Sequence, residues 1–387
     1  MKEIYLDNSA TTHICDEALN KYNEISRDCY GNPSSLHKLG FDAEKILDAA
    51  RAEITKSLSA KGSTVVFTAS GSESNNLAII GRALSKERYM GQAKIITTEG
   101  EHASVDAPLE FLRKFGFKIA KIPTRGGIID KDALAKELTP NVILVSMMMV
   151  NNETGALYDT AAVSKLLHAK CPDAFLHVDA TQSYLKFPFT KAKCGADMIT
   201  LSSHKIEGPK GVGALLIDPA VIKARGLAPM ILGGGQEGGL RSGTENVPGI
   251  AAFGEAVRIG TAKLRERFTK TSSLRAYTVE RISSELTEIS ITDPESHAPH
   301  ILNVTLPKIK SETMLHYLSS LGIYVSSGSA CSSNGGHHAS ALTAYGRSEE
   351  EADTSVRISF SHRNETADVD ALIEGLKSGL EKLSRIK

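Results

Sequence analysis

Between residues 45 and 217, short and uniformly apolar runs alternate with stretches of helical periodicity. Apolar runs without polar alternation are typical of strands buried on both faces of a sheet, and intervening helices are typical of right-handed crossovers between parallel strands. The alternation predicts an α/β fold, with a mostly parallel sheet flanked by helices. The strand candidates are residues 63–69, 93–98, 141–150, 174–180, 197–203 and 212–217.

The pattern changes after the glycine run at residues 233–235. Long amphipathic helical stretches follow, with further strand candidates at residues 301–306 and 355–361. We therefore expect residues 15–255 to form a large domain. A smaller α+β domain is expected to comprise residues 1–14 and 256–387.

Composition and charge exclude several classes of protein. Lys and Arg number 45, as do Asp and Glu, so we expect neither direct nucleic-acid binding nor attraction to a membrane. The apolar run at 141–150 is far shorter than the roughly 20 residues of a bilayer span, and residues 1–13 lack the apolar core of a signal peptide. Five scattered cysteines without a CxxC pair favour a reducing, cytoplasmic location over a disulfide scaffold.

A phosphate-binding turn is predicted directly after the strand at 63–69. Residues 69–77, ASGSESNNL, let the chain turn sharply and open a helix, although capping serines also open ordinary helices. The free N–H groups and the positive end of the helix dipole attract an anion. No Walker lysine motif or GxGxxG turn is present, which favours a smaller phosphorylated cofactor over a nucleoside triphosphate or a dinucleotide.

An aspartate and a lysine follow two of the predicted strands. Asp179 lies at the end of the strand at 174–180, and Lys205 comes just after the strand at 197–203. Open α/β sheets bind ligands at these strand ends, so both side chains are expected to face one crevice. A lysine can form a Schiff base with an aldehyde, and a carboxylate can keep a pyridine nitrogen protonated. With the phosphate turn, this pair predicts pyridoxal phosphate as the cofactor.

Ten short sequence blocks, which include the regions around the phosphate turn, Asp179 and Lys205, extend through nearly the whole chain. They are YLDNSATT (5–12), GNPSSLH (31–37), FTASGSESNNLA (67–78), TEGEHAS (98–104), VNNETG (150–155), HVDATQS (177–183), SSHKIEGPKGVGAL (202–215), GGGQEGGLRSGTENV (233–247), SSGSACSS (326–333) and VRISFS (356–361). In this order they resemble the NifS/IscS-type cysteine desulfurases, a branch of the class V, fold-type I pyridoxal-phosphate enzymes. The resemblance implies the fold of those transferases, with a large cofactor-binding domain and a smaller domain.

The resemblance also implies roles around the cofactor ring. Lys205 would carry the cofactor as a Schiff base, and Asp179 would pair with the pyridinium nitrogen. Gln182 would form a hydrogen bond with the ring hydroxyl, near which Asn152 would also lie. His102 would stack on the ring and assist proton transfers.

Further roles concern the phosphate, the substrate and a second subunit. Arg357 would bind the carboxylate of the substrate through two parallel hydrogen bonds. Thr244 would reach the phosphate of the other subunit, which implies a homodimer with composite sites. The phosphate itself would be held by Gly71, Ser72, Ser202 and His204.

Cys331 separates a desulfurase from an aminotransferase. It lies among small residues and glycine, a setting typical of an exposed loop rather than of a core. By resemblance, its thiolate would attack the sulfur of L-cysteine, leaving a persulfide on Cys331 and releasing L-alanine. A sulfur-acceptor protein, such as an iron–sulfur scaffold or a tRNA-thiolation enzyme, would then take the sulfur.

Two alternative functions stay open at this point. One is another class V enzyme, either a selenocysteine lyase or a small-substrate aminotransferase. To decide, we would compare the release of alanine from cysteine with transamination that depends on a keto acid. The other is a sulfur-carrier scaffold with little catalytic activity. This alternative would be supported if the purified protein were colourless and did not bind pyridoxal phosphate.

Some positions depart from the family pattern. Gly238 stands where arginine is common, and Glu207 where an aromatic residue is common. The segment 334–345 lacks the usual proline-containing continuation, and its His337–His338 pair has no further ligand at a suitable spacing, so no metal site is expected.

Overall fold

The protein is described by a computed structural model that covers residues 3–87, 90–327 and 341–383. The strands, numbered along the chain, are β1 Ile4–Tyr5, β2 Thr64–Thr68, β3 Lys94–Thr98, β4 Lys118–Ile122, β5 Val142–Met148, β6 Phe175–Asp179, β7 Met198–Ser202, β8 Gly213–Ile217, β9 Ser290–Thr292, β10 Ile301–Thr305, β11 Ile323–Tyr324, β12 Ser326–Ser327 and β13 Ser355–Ser359. The helices are α1 Asp16–Asp28, α2 Lys38–Ser57, α3 Gly71–Leu84, α4 Ala103–Lys114, α5 Lys131–Glu137, α6 Thr160–Lys170, α7 Lys191–Cys194, α8 Pro219–Lys223, α9 Val247–Glu285, α10 Ser311–Ser320, α11 Ala341–Tyr345, α12 Glu349–Asp353 and α13 Thr366–Leu383.

The large sheet has seven strands in the order β2-β8-β7-β6-β5-β3-β4. Strands β4, β3, β5, β6 and β7 pair in parallel, whereas β8 runs antiparallel to both β7 and β2. The predicted α/β fold with a mostly parallel sheet is therefore confirmed.

Both faces of this sheet are covered by helices. Every residue of β5 is buried, as expected for a Val-, Ile- and Met-rich central strand between two apolar layers. Strand β4 was missed by the search for apolar runs. Its sequence KIAKI lies at the sheet edge, where only Ile122 is fully buried, so charged residues are tolerated there.

A second sheet is antiparallel and has the order β12-β13-β10-β9. Strands β10 and β13 were both predicted, and they pair along their whole length, with Asn303 opposite Arg357. The chain start joins this part of the molecule, because β1 pairs in parallel with β11 and the Ser359 N–H donates to the Leu6 carbonyl at 2.7 Å.

Helix α9 is 39 residues long and connects the two apolar cores. Its first half buries Ile250, Phe253 and Val257 in the core of the large sheet, and its second half buries Leu274 and Ile282 in the core of the second sheet. The domain boundary proposed near residue 256 falls within this helix. Across the described ranges, no helix combines the length and the apolar character needed to cross a membrane.

Truncating Phe253 tests the role of α9 in the large core. The side chain is completely buried, so Phe253→Ala should lower the free energy of unfolding by about 3–5 kcal/mol through lost burial and a cavity. Urea denaturation of the apo protein measures the change. Phe111→Ala is the matched control, since this phenylalanine is 48% exposed, and an equal loss in both variants would contradict the packing described.

Candidate active site

The C-terminal ends of five strands meet at one edge of the large sheet. Strands β3, β5, β6 and β7 are parallel, and β2 has the same direction because β8 between β2 and β7 is antiparallel to both. The loops that follow these strands enclose a cavity of about 360 Å³, a volume within the range of cofactor sites. Ten residues predicted from the sequence line it: Gly71, Ser72, His102, Asn152, Asp179, Gln182, Ser202, His204, Lys205 and Arg357.

Two predicted residues are not placed in this cavity. Thr244 is exposed, and it is absent from the lining that the described residues form. Cys331 lies outside the described residues, as does the His337–His338 pair. Ser326 and Ser327, which precede Cys331 in the chain, do line the cavity.

The phosphate turn forms as predicted between β2 and α3. Ser70 caps the helix by accepting the Glu73 N–H at 3.2 Å, and the helix begins at Gly71. A Cβ on Gly71 would lie 3.2 Å from both Ser202 Cβ and Thr181 Oγ1, so glycine fits this close approach. The first N–H groups of α3 have no intrahelical partner and can bind an anion.

Asp179 is buried at the end of β6 and is held by two donors. Asn75 Nδ2 donates to its Oδ2 at 2.7 Å, and the Thr181 N–H donates to its Oδ1 at 2.9 Å. Both contacts fix the orientation of the carboxylate. The sequence analysis missed Asn75, although it lies in the quoted block 67–78, one helical turn after Gly71.

Asn75 also connects Asp179 to His102. Its Nδ2 donates to Ser104 Oγ at 2.8 Å, and that hydroxyl lies 2.8 Å from His102 Nδ1. His102 caps α4, and its Nδ1 accepts the Ser104 N–H at 3.1 Å, which leaves the proton of the neutral ring on Nε2. The ring is accessible from the cavity, but protein atoms surround its other sides, and this burial lowers the pKa of His102. The neutral form is therefore favoured near neutral pH.

Lys205 lies in a short 3₁₀ turn directly after β7. Its ammonium donates to the Ser9 carbonyl and, at 2.8 Å, to the Ala10 carbonyl, both on the N-terminal segment. Burial lowers the pKa of Lys205 to about 8, and the positive charges of Arg357 and Lys186 contribute in the same direction. A neutral amine is thus available at a pH where ordinary lysines are charged.

Arg357 reaches the cavity from β13 of the second sheet. Its Nη1 donates to the Asn152 carbonyl and its Nη2 to Asp7 Oδ1, each at 3.0 Å. Its buried Nε–H has no hydrogen-bond partner in the described chain. The guanidinium is therefore held in one orientation in the cavity lining by two contacts.

Glu153, like Asp7, was missed by the sequence analysis. It lines the cavity, where burial raises its pKa to about 7 while the charge of Arg357 opposes that shift. Both acidic residues belong to quoted blocks, 5–12 and 150–155, but only their three-dimensional proximity to Arg357 indicates a role.

The residues present fit pyridoxal phosphate. A helix start that accepts an anion, a buried carboxylate and a lysine amine of lowered pKa share one cavity. Gln182 donates to the Ser9 carbonyl at 2.9 Å, while its buried Oε1 has no hydrogen-bond partner among the described residues, as expected for a group that awaits a ligand.

Comparisons with known proteins cover almost the whole chain. The family model "Aminotransferase class-V" matches residues 4–372. A Dictyoglomus turgidum protein named cysteine desulfurase IscS is 35% identical over 387 residues, which is 100% of this chain and 96% of that protein.

Two solved structures also resemble the chain closely. A NifS-like protein superposes with a TM-score of 0.89 at 34% identity, covering 99% of this chain and 100% of the other. SspA in complex with cysteine superposes with a TM-score of 0.77 at 32% identity, covering 93% of this chain and 99% of SspA.

The lowered pKa of Lys205 can be tested by chemical labelling. Because only the neutral amine is acylated, the reactivity of Lys205 in the apo protein should reach half its maximum near pH 8, about two units below an unperturbed lysine. Trace acetylation across pH 6–11, roughly spanning both values, with peptide mass spectrometry measures this, and exposed Lys223 provides the reference. Half-maximal labelling near pH 10 would show that burial does not perturb this amine.

Proposed function

This chain belongs to the class-V aminotransferase family, whose enzymes depend on pyridoxal phosphate, and we propose that it is a cysteine desulfurase that converts L-cysteine to L-alanine. The observation that carries the proposal is the shared cavity of Lys205, Asp179 and Arg357 at the start of α3. Relatives with the name cysteine desulfurase that align along the whole chain support it.

The cofactor would be held by residues that line the cavity. The N–H groups of Gly71 and Ser72, with Ser202 and His204, would hold its phosphate. Asp179 would face the ring nitrogen and Gln182 the ring hydroxyl, where Asn152 also lies, and His102 would contact the ring. Bound in this way, pyridoxal phosphate would withdraw electrons from the Cα atom of the amino-acid substrate.

The substrate would be oriented by its carboxylate. Arg357 lines the cavity, and its guanidinium is oriented by Asn152 and Asp7, so it would meet a carboxylate in a fixed orientation. Lys205 would then take and return a proton at Cα, a step that a pKa of about 8 favours near neutral pH.

Sulfur transfer would take place on Cys331. Its thiolate supplies the electron pair that forms an S–S bond with the substrate sulfur while the Cβ–S bond of the substrate breaks. A persulfide remains on Cys331, and the three-carbon fragment gains protons and leaves as alanine. A sulfur-acceptor protein, an iron–sulfur scaffold or a tRNA-thiolation enzyme, would take the outer sulfur. Capture of proteins disulfide-linked to Cys331 after turnover would identify it.

A homodimer would complete the site. Large apolar side chains are exposed on the monomer, including Tyr30 at 78%, Leu36 at 90% and Leu232 at 79%, and a second copy would cover them. Thr244 is exposed in the loop that follows Leu232 and would reach the phosphate bound by the partner subunit.

Replacing Cys331 separates cofactor chemistry from sulfur transfer. Cys331→Ala should keep the visible absorbance of bound pyridoxal phosphate, because the cofactor contacts are elsewhere, and should lose at least about 100-fold in the rate of alanine release from cysteine, since the nucleophile is absent. Cys29→Ala, at a partly buried cysteine, is the matched control. Full activity of Cys331→Ala would disprove the persulfide route.

Mixed dimers test the proposed role of Thr244. Thr244→Ala should weaken cofactor binding several-fold, as expected for one lost hydrogen bond, and Lys205→Ala should be inactive. In a dimer with one subunit of each kind, the subunit with intact Lys205 receives Thr244 from its partner and should regain wild-type cofactor affinity. Absorbance titration of the purified mixed dimer measures this, and unchanged weak binding would argue against composite sites.

A further inference from the structure

A second, narrow cavity of about 30 Å³ lies beside the turn that carries Lys205. We refer to it as the rear cavity, and its titratable lining residues are Lys186, Glu207, Arg267, His300 and His362. Its volume exceeds the roughly 10–15 Å³ that one water molecule requires. The rear cavity can therefore hold one or two species of water size, and it is too small for a tetrahedral oxyanion.

The charges around the rear cavity do not balance. Glu207 is ion-paired with two arginines: Arg363 Nε donates to Oε1 at 3.0 Å, and Arg267 Nη2 lies 2.7 Å from Oε2 but lacks the geometry of a hydrogen bond, which leaves Oε2 without a donor among the described residues. Arg363 is 45% exposed and does not line the cavity, so water solvates its charge, and Arg267 and Glu207 balance each other within the cavity. Lys186 is the cationic group left without a counter-charge, and its ammonium makes no hydrogen bond to any residue that the structure describes. Burial lowers the pKa of Lys186 to about 8, so the ammonium form still predominates near neutral pH. Burial lowers the pKa of His362 to about 4, so His362 adds no charge near neutral pH.

Hydrogen-bond donors on the rear cavity also lack partners. His300 is fully buried, and neither ring nitrogen forms a hydrogen bond of ordinary geometry within the described ranges, although the Gln182 backbone lies close. The Arg267 Nε–H is likewise buried and unpaired there. Buried donors without partners are rare in folded proteins and indicate a bound species.

We propose that the rear cavity binds a small monovalent anion of halide size, held by Lys186, Arg267 and His300. Water could accept these hydrogen bonds but would leave the excess positive charge uncompensated, which is costly in a buried site. The carboxylate of Glu207 does not repel such an anion strongly, because two arginines neutralise it. Binding of the anion does not depend on the proposed function.

The position of the anion would matter for the active site. The charge of Lys186 is one of the influences that lower the pKa of Lys205. A bound anion would offset that charge, so the salt composition of the medium would act on the catalytic lysine without contact between the two.

Bromide is the probe for this site. Crystals of the pyridoxal-phosphate-loaded protein grown in sodium bromide should show an anomalous peak within hydrogen-bond distance of Lys186 Nζ and Arg267 Nε. Crystals in sodium sulfate of equal ionic strength should show none. Water density alone in the rear cavity of the bromide crystals, with bromide bound elsewhere on the surface, would overturn the proposal.

A solution measurement uses a matched pair of lysines. The broadening of the bromide-81 NMR line by the loaded protein should fall to background on addition of chloride but not of sulfate. It should be lost in Lys186→Met and kept in Lys165→Met, an exposed lysine. Equal broadening in the two variants would contradict the site. If Lys186→Met does not fold, the wild-type crystals decide alone.

Discussion

Strand β8 runs against both of its neighbours, and this reversal determines what the sheet edge can hold. It gives β2 the direction of β7, so the phosphate turn after β2 lies at the same edge as Asp179 and Lys205. Because β8 is antiparallel, its first residue Gly213 pairs with Thr68 and Ser202, the last residues of β2 and β7, so the connection that carries Lys205 stays at this edge. Gly213, the first residue of β8, packs so closely under Ser70 that a Cβ there would lie 2.4 Å from the Ser70 carbonyl carbon.

The second sheet contributes the guanidinium of Arg357 to a cavity that is otherwise built mainly from the large sheet. Arg357 enters the cavity from β13 and contributes to the lowered pKa of Lys205, while Asp7 and Asn152 hold its guanidinium. The distance between the two sheets therefore affects both carboxylate binding and the protonation of the lysine. Helix α9, which has residues in both cores, limits how freely that distance can vary.

Sequence patterns predicted the strands that are apolar on both faces and the residues that follow them, because burial and strand ends leave a local signature. They did not predict β4, whose edge position tolerates charge, or the partners of predicted residues. Asp7 and Arg357 are 350 residues apart, and no local pattern pairs them. The structure also explains the two residues that depart from the family pattern. Gly238 has a φ of 64°, a backbone conformation that favours glycine. Glu207 forms ion pairs with two arginines. The roles of Thr244 and Cys331 stay predictions from family resemblance.

The pairing of β1 with β11 has a consequence for synthesis of the chain. Residues 4–12 leave the ribosome well before their partners, which include Ile323, Tyr324 and Ser359. At about 5–20 residues per second, the N-terminal segment waits roughly 20–70 s before those partners exist. The carbonyls of Ser9 and Ala10 that hold Lys205 are thus placed late, since the segment that carries them is anchored by Ser359, which is made 350 residues after Ser9.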